Sequence, residues 1–462
     1  MLNSEFEILM AKTVDVGALL DEGEWGGYQK FLVFATALTI VLDGFDNQVM
    51  GSAIPALMRE WTLPRSAFAY VLTSGMFGMM LGGAIGGWIG DRVGRRAALL
   101  GSVTIFGVLT VLVYFAGNIP SLILLRFLAG LGLGGAMPTA AAISSEYVPR
   151  RRRPMAVTLT IVCVPLGGSL AGFVGGMILP RFGWRALFLV GGLIPLVLVA
   201  VLLKLLPESP RYMIRLRERW PELRALLRRL GHAVPDEATF VDSTEKPVAK
   251  ASVGELLVPE FRRDTFILCA SFLFCLFGAY LGTNWVPSML DRAKFDVGTA
   301  SYGLLSWNFG GVVFALFGAA IITRLGSRAT MLSLAAGGVV GCVVLALMTI
   351  GPDSAFAVLA MLAISGGFIN ATQTTMYALA ANVYPTSIRA TGVGTAVAIG
   401  RFGGVLSPIL GAPALDAGAS QYFLLIAATM SATLVALAMV KRHIPRLTGE
   451  FAGKPVVVPA AH

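Results

Sequence analysis

Twelve apolar stretches constrain this chain more than any other feature, because each is near the ~20 residues that carry an α-helix across ~30 Å of hydrocarbon. They run roughly over 30–55, 67–90, 97–117, 120–144, 155–178, 185–206, 263–288, 301–323, 329–350, 355–380, 388–411 and 420–441. A β-barrel would show shorter, alternating segments. The first stretch is too long and too polar at its centre for a cleavable signal peptide, and it lacks a small-residue cleavage site. Composition agrees: 56% of residues are hydrophobic, 13% are charged and mean hydropathy is +0.76, where soluble domains carry ~25% charged residues. These values argue against a cytosolic enzyme, a nucleic-acid-binding protein or a disordered scaffold. Cys163, Cys269, Cys275 and Cys342 all lie in apolar runs without a CxxC pair, and read as small core residues rather than a disulfide framework or a metal site.

Six stretches, a polar segment and six more give five parts. These are an amino-terminal segment 1–29, a six-helix half 30–206, a linker 207–262, a second six-helix half 263–442 and a tail 443–462. The linker sequence PESPRYMIRLRERWPELRALLRRLG reads as one or two short surface helices ending at Gly231. Basic residues collect in the even-numbered connections and the termini. The odd-numbered connections hold only Arg59, Arg65, Arg181, Arg185, Arg292 and Lys294. Both termini and the linker therefore read as cytoplasmic. The net charge of +10 becomes a topology signal rather than a nucleic-acid footprint. The run Arg150 to Arg153 adds contact with anionic membrane lipids.

The halves repeat each other weakly. GGWIGDRVGRRAAL (86–99) aligns with GAAIITRLGSRATM (318–331), placing Gly86, Arg92, Gly94 and Arg96 on Gly318, Arg324, Gly326 and Arg328. EYVPRRRRP aligns with NVYPTSIRA, placing Pro149 on Pro385 and Arg153 on Arg389. Such duplication is a transporter signature, with a substrate site near the midplane at the repeat interface.

GDRVGRR (90–96) resembles the loop 2–3 signature of the major facilitator superfamily. DGFDNQVMGSAIPAL (43–57) and its lead-in VDVGALLDEGEWGGYQKFLV are similar to the aromatic acid:proton symporters of that superfamily. RFLAGLGLGGAMP, PESPR and YPTSIRATGVG fit the same family, and the resemblance covers the whole chain. Sugar porters share GDRxGRR and PESPR, but this chain lacks their glutamine motifs in spans 5 and 7 and their PET motif after span 12. It also departs from an ideal duplication, because Thr323 stands where Asp91 stands in the first half. The resemblance implies an all-α membrane protein of twelve helices in two pseudo-symmetric halves.

Charges left inside apolar spans carry the chemistry. A carboxylate inside a membrane helix costs ~2.5–3.5 kcal/mol on insertion scales, so it needs a partner or a task. Asp43 and Asp46 lie in span 1 at spacing i, i+3, on one helix face. Counting ~1.5 Å per residue puts Asp46 and Arg126 of span 4 at the same depth, ~9–12 Å below the outer surface. Burial raises a carboxyl pKa and an adjacent guanidinium lowers it. We therefore expect Asp46 to carry the proton, Arg126 to set its affinity and Asp43 to relay. The analogy with proton-coupled sugar porters supports that assignment. Arg401, near the middle of span 11, has no acid at obvious matching depth in its half, and a carboxylate substrate could supply the charge through a bidentate fork. The alternative is an Arg bonded to backbone carbonyls of a broken helix. Tyr280, Asn284, Trp307, Asn308, Asn370 and Gln373, with Thr374 and Tyr377, could line a pocket for an aromatic ring, or serve interhelical bonding.

Glycines recur every four residues at 78, 82, 86 and 90, at 168, 172 and 176, and, with Ala396, at 392, 400 and 404. They read as packing ridges, and in the family they imply contact lines across which the halves rock. GxGxxG at Gly130, Gly132 and Gly135 has no preceding strand and is no dinucleotide site. In the family, the acid and Arg matching Asp91 and Arg92 hold the halves together at the cytoplasmic face. Arg95, Glu146 and Arg389 are expected in the same network, with the start of span 11 as the partner of Asp91. No HExxH, nucleophile elbow or P-loop appears, so neither enzyme chemistry nor a cofactor is expected. The reading is an inner-membrane importer of an aromatic carboxylate driven by protons. Alternatives are a porter for another organic acid or a sugar, and a transport-fold solute sensor.

Overall fold

The computed structural model describes residues 13–243, 252–385 and 387–444. The start of the amino-terminal segment, part of the linker and most of the tail lie outside the described residues. A short strand β1 (Thr13–Asp15) and helix α1 (Val16–Glu22) lead into α2 (Gly27–Trp61), α3 (Arg65–Val93), α4 (Arg95–Val113), α5 (Ile119–Tyr147) and α6 (Arg153–Leu205). The linker contributes α7 (Pro210–Ile214), α8 (Trp220–Arg229) and β2 (Thr239–Val241). The rest is α9 (Pro259–Arg292), α10 (Val297–Leu325), α11 (Ser327–Leu347), α12 (Ala355–Val383), α13 (Arg389–Ala417) and α14 (Ala419–Met439).

Among the described residues, eleven helices are long and apolar enough to cross a membrane. One of them, α6, is 53 residues long, near 80 Å at 1.5 Å per residue and far beyond one bilayer. It breaks at Gly183, whose φ of 72° and ψ of −179° are not helical, so α6 is two spanning helices meeting at one residue. That gives the twelve spans of the sequence and an all-α membrane fold. Proline occurs inside α2, α5, α6, α9 and α13, which membrane helices tolerate when neighbours satisfy the freed carbonyls.

The described residues group into two compact units, one drawn from Met1–Glu60 and Tyr70–Ala249, the other from Trp61–Ala69 and Lys250–His462. In the first unit a small non-membrane layer is built by the chain start and the linker. β1 pairs in parallel with β2, Val14 opposite Phe240. α8 turns Leu223, Leu226 and Leu227 inward, against Val16 and Leu20 of α1, and Gly231 (φ 92°) follows its end.

The glycine ridges pack helices inside each unit. A Cβ on Gly78 or Gly82 would collide with the carbonyls of Phe127 or Leu131, and one on Gly130 or Gly134 with those of Gly75 or Met79. The α3 and α5 backbones thus touch along a reciprocal small-residue seam. Gly44 and Gly167 seat α2 on α6 in the same way, and Gly400 and Gly403 seat α13 on α9.

Candidate functional site

In the first unit, Asp46 (0% exposed) and Arg126 (4%) meet. Arg126 Nη1 donates to Asp46 Oδ2 at 3.1 Å, and Nη2 donates to the Asp46 backbone carbonyl at 2.9 Å. The other carboxylate oxygen, Oδ1, accepts the Thr110 hydroxyl at 2.5 Å. Thr110 of α4 is fully buried and was missed in the sequence. Threonines in membrane helices usually bond their own backbone, as Thr104 and Thr139 do here, so nothing in the chain marks Thr110 out.

The chemistry of the three groups differs. A guanidinium only donates, whereas a hydroxyl donates or accepts. The charged carboxylate is satisfied by both donors. A protonated Asp46 could turn its O–H toward Thr110, whose hydroxyl rotates to accept. Arg126 would remain held by the backbone carbonyl. Asp43 (1% exposed) sits three residues earlier on the same buried face of α2, where Gly44 lies against the Val164 backbone and Gln48 against Gly168.

In the second unit, Tyr377 of α12 gathers several of the polar candidates. Gln373 stands one turn earlier on the same helix, and Arg401 of α13 and Tyr280 of α9 lie near its hydroxyl. The Phe272 ring stands edge-on to Tyr377, centroids 5.3 Å apart. Tyr280, Gln373, Tyr377 and Arg401 are all partly accessible. Asn284, Trp307, Asn308 and Asn370 are buried. Trp307 is 0% exposed and presses on Gly282 and the Gly366 backbone. The side-chain amides of Asn308 and Asn370 donate to carbonyls one turn back in their own helices, Leu304 at 3.0 Å and Gly366 at 2.9 Å. Asn284 is 4% exposed.

The basic loop between α3 and α4 is held by residues on either side of it. Arg95 pairs with Glu146, which also accepts the Ser209 hydroxyl. Arg92 stacks on Trp88 at 4.2 Å, and its carbonyl accepts the Tyr212 hydroxyl at 3.2 Å. Asp91 is exposed. Glu208, also missed in the sequence, accepts the backbone N–H of Arg96 at 2.9 Å. It therefore caps α4, whose own cap residue Gly94 (φ 111°) has no side chain. A carboxylate there meets unpaired N–H groups and the positive helix end. Arg389 donates to the Tyr384 carbonyl at 3.4 Å. Among the described residues no group of three or more His, Cys, Asp or Glu side chains could hold a metal ion.

Comparison with known proteins follows the same lines. The profile of the Major Facilitator Superfamily matches residues 36–408 and 307–455. The chain is 34% identical over 436 residues to the 4-hydroxybenzoate transporter PcaK of Pseudomonas aeruginosa, covering 93% of this chain and 96% of that one. It is 32% identical over 435 residues to a gallate transporter of Pseudomonas putida, covering 94% and 96%. A solved xylose transporter of E. coli, XylE in a partially occluded inward-open conformation, superposes with a TM-score of 0.68 at 18% identity, over 90% of this chain and 99% of that one. That structural likeness speaks for the fold alone.

Proposed function

The chain belongs to the major facilitator superfamily, and on that premise we propose that it imports an aromatic carboxylate together with one or more protons by alternating access. The observation that carries the reading is the buried Asp46–Arg126–Thr110 group. It is a carboxylate with a counter-charge and a hydroxyl that can serve either protonation state. Asp46 binds and releases the proton, Arg126 supplies its counter-charge, and Asp43 relays. The relatives at about a third identity are named for 4-hydroxybenzoate and gallate, which supports a benzoate- or hydroxybenzoate-like substrate. Arg401 offers a planar fork for its carboxylate, beside the rings and polar tips of Tyr280, Tyr377 and Gln373. Proton and anion binding together favour reorientation, as ligands bias a two-state equilibrium. Asn284, Trp307, Asn308 and Asn370 complete the proposed substrate-binding set. Asp91, Arg92, Arg95 and Glu146 in the first unit, and Arg389 in the second, are the proposed gate residues. An inner-membrane location with both termini cytoplasmic belongs to the same proposal, and the basic residues of its even-numbered connections support that orientation.

Uptake of labelled 4-hydroxybenzoate into proteoliposomes, with and without an imposed pH gradient, tests this directly. Accumulation that follows the gradient is expected. Uptake indifferent to the gradient sinks the proton coupling. Transport of a sugar but of no aromatic acid sinks the substrate class.

A further inference from the structure

We propose that a pocket between the start of α2 and the loop joining α5 to α6 binds the headgroup of an anionic phospholipid. The pocket holds about 570 Å³ and is lined by Gly23, Glu24, Trp25, Pro149, Arg151 and Arg152. Arg151 and Arg152 are exposed. Their neighbour Arg153 is already committed to Asp21 and to the Ser145 carbonyl, whereas among the described residues the guanidiniums of Arg151 and Arg152 make no ion pair. Lys30 adds a third cation, 5.7 Å over the Trp25 ring. Glu24 contributes one negative charge, so the local balance favours an anion.

Two further features specify a lipid. The Trp25 indole N–H is buried and has no acceptor among the described residues, and a buried donor left unmade is costly. A phosphate oxygen in the pocket would satisfy it. The helix surfaces that lead away from the pocket are apolar and open. Phe31 and Phe34 on α2, and Met155 and Leu159 on α6, are exposed. A ligand carrying both a phosphodiester and acyl chains covers the charged pocket and these side chains together, which a free anion does not. Trp25 itself packs on Val33, Val148 and Ala156, the interfacial position tryptophan favours in membranes. Zwitterionic headgroups bring an ammonium toward three cations and are disfavoured.

The inference rests on the chain spanning a membrane, not on its substrate or protons, so it can fail while the uptake reading stands. The test is native mass spectrometry of the delipidated full chain titrated with phosphatidylglycerol or phosphatidylcholine. Phosphatidylglycerol should bind about tenfold more tightly, the scale of one charge-assisted bond. Arg151→Gln with Arg152→Gln should erase the preference. Trp25→Phe, which keeps an aromatic ring and loses the N–H, should weaken phosphatidylglycerol binding several-fold in a variant that thermal unfolding shows to be folded. Millimolar inorganic phosphate should not displace the lipid. Equal binding of the two lipids, unchanged preference in the arginine variant, or displacement by phosphate would each overturn the proposal.

Discussion

Protonating Asp46 cancels one charge of a buried pair, and what happens next depends on which neighbours can reverse a hydrogen bond. Thr110 can, and Arg126 cannot. Thr110→Val keeps the shape and removes the hydroxyl, so gradient-driven uptake should fall about tenfold or more, while Thr110→Ser should retain most of it. Asp46→Asn should abolish accumulation against a gradient yet leave exchange of substrate for substrate, measured as counterflow. Full accumulation by that variant would remove Asp46 from the proton path. Arg401→Lys keeps the charge and loses the fork, so apparent affinity should weaken about tenfold with little change in maximal rate. Asp46, Arg126 and Arg401 were legible because a charge in an apolar run stands out and depth can be counted in residues. Thr110, Tyr377 and Phe272 were less so. A threonine or an aromatic ring in a spanning helix is ordinary, and only the neighbour it meets gives it a role.

Helix ends show the internal repeat as physical structure. Gly94 and Gly326, aligned in the two halves, both have positive φ (111° and 80°) and both precede a helix. In each half the segment after the last helix returns to cap that helix start. Glu208 does so on α4. On α11, Ser327 N–H donates to the Ile444 carbonyl at 3.0 Å, Ile444 N–H donates to Ser327 Oγ at 2.8 Å, and His443 Nδ1 lies 3.1 Å from the same oxygen. Gly94→Ala would strain the backbone and collide with Glu208. It should cost about 1–3 kcal/mol in thermal unfolding, and Glu208→Gln about 1 kcal/mol. His443 titrates below its usual 6.5, because burial and then the Arg328 guanidinium disfavour its charged form, with Asp264 opposing. The released tail therefore binds a proton first as pH falls. The clip is at full strength above 6.5 and is lost as pH drops through 6.5 toward the lower folded value. Hydrogen-exchange protection of the Ile444 amide should follow that course, and His443→Gln should flatten it.

Each unit carries a buried core and one half of the proposed chemistry, the proton site in the first and the anion cluster in the second. A monoanion entering with one proton moves no net charge. Uptake should then respond to a pH gradient, worth ~1.4 kcal/mol per unit per proton, and not to voltage. A current recorded on solid-supported membranes during uptake would exclude that stoichiometry. The spanning count, the duplication and the membrane class were determined by the sequence alone. Burial in lipid forces every backbone polar group into a helix, and the length of apolar runs then dictates the architecture. The connection around Gly183 was legible too, because Pro180, Arg181 and Arg185 interrupt the apolar run there, whereas its narrowing to one non-helical residue was not. Which glycines touch which helix, that Glu208 caps the start of α4, and that Thr110 completes the Asp46 site were decided only in three dimensions. Side chains far apart in the chain acquire those roles from the particular backbones brought within a few ångströms of them, and sequence spacing carries no record of that distance.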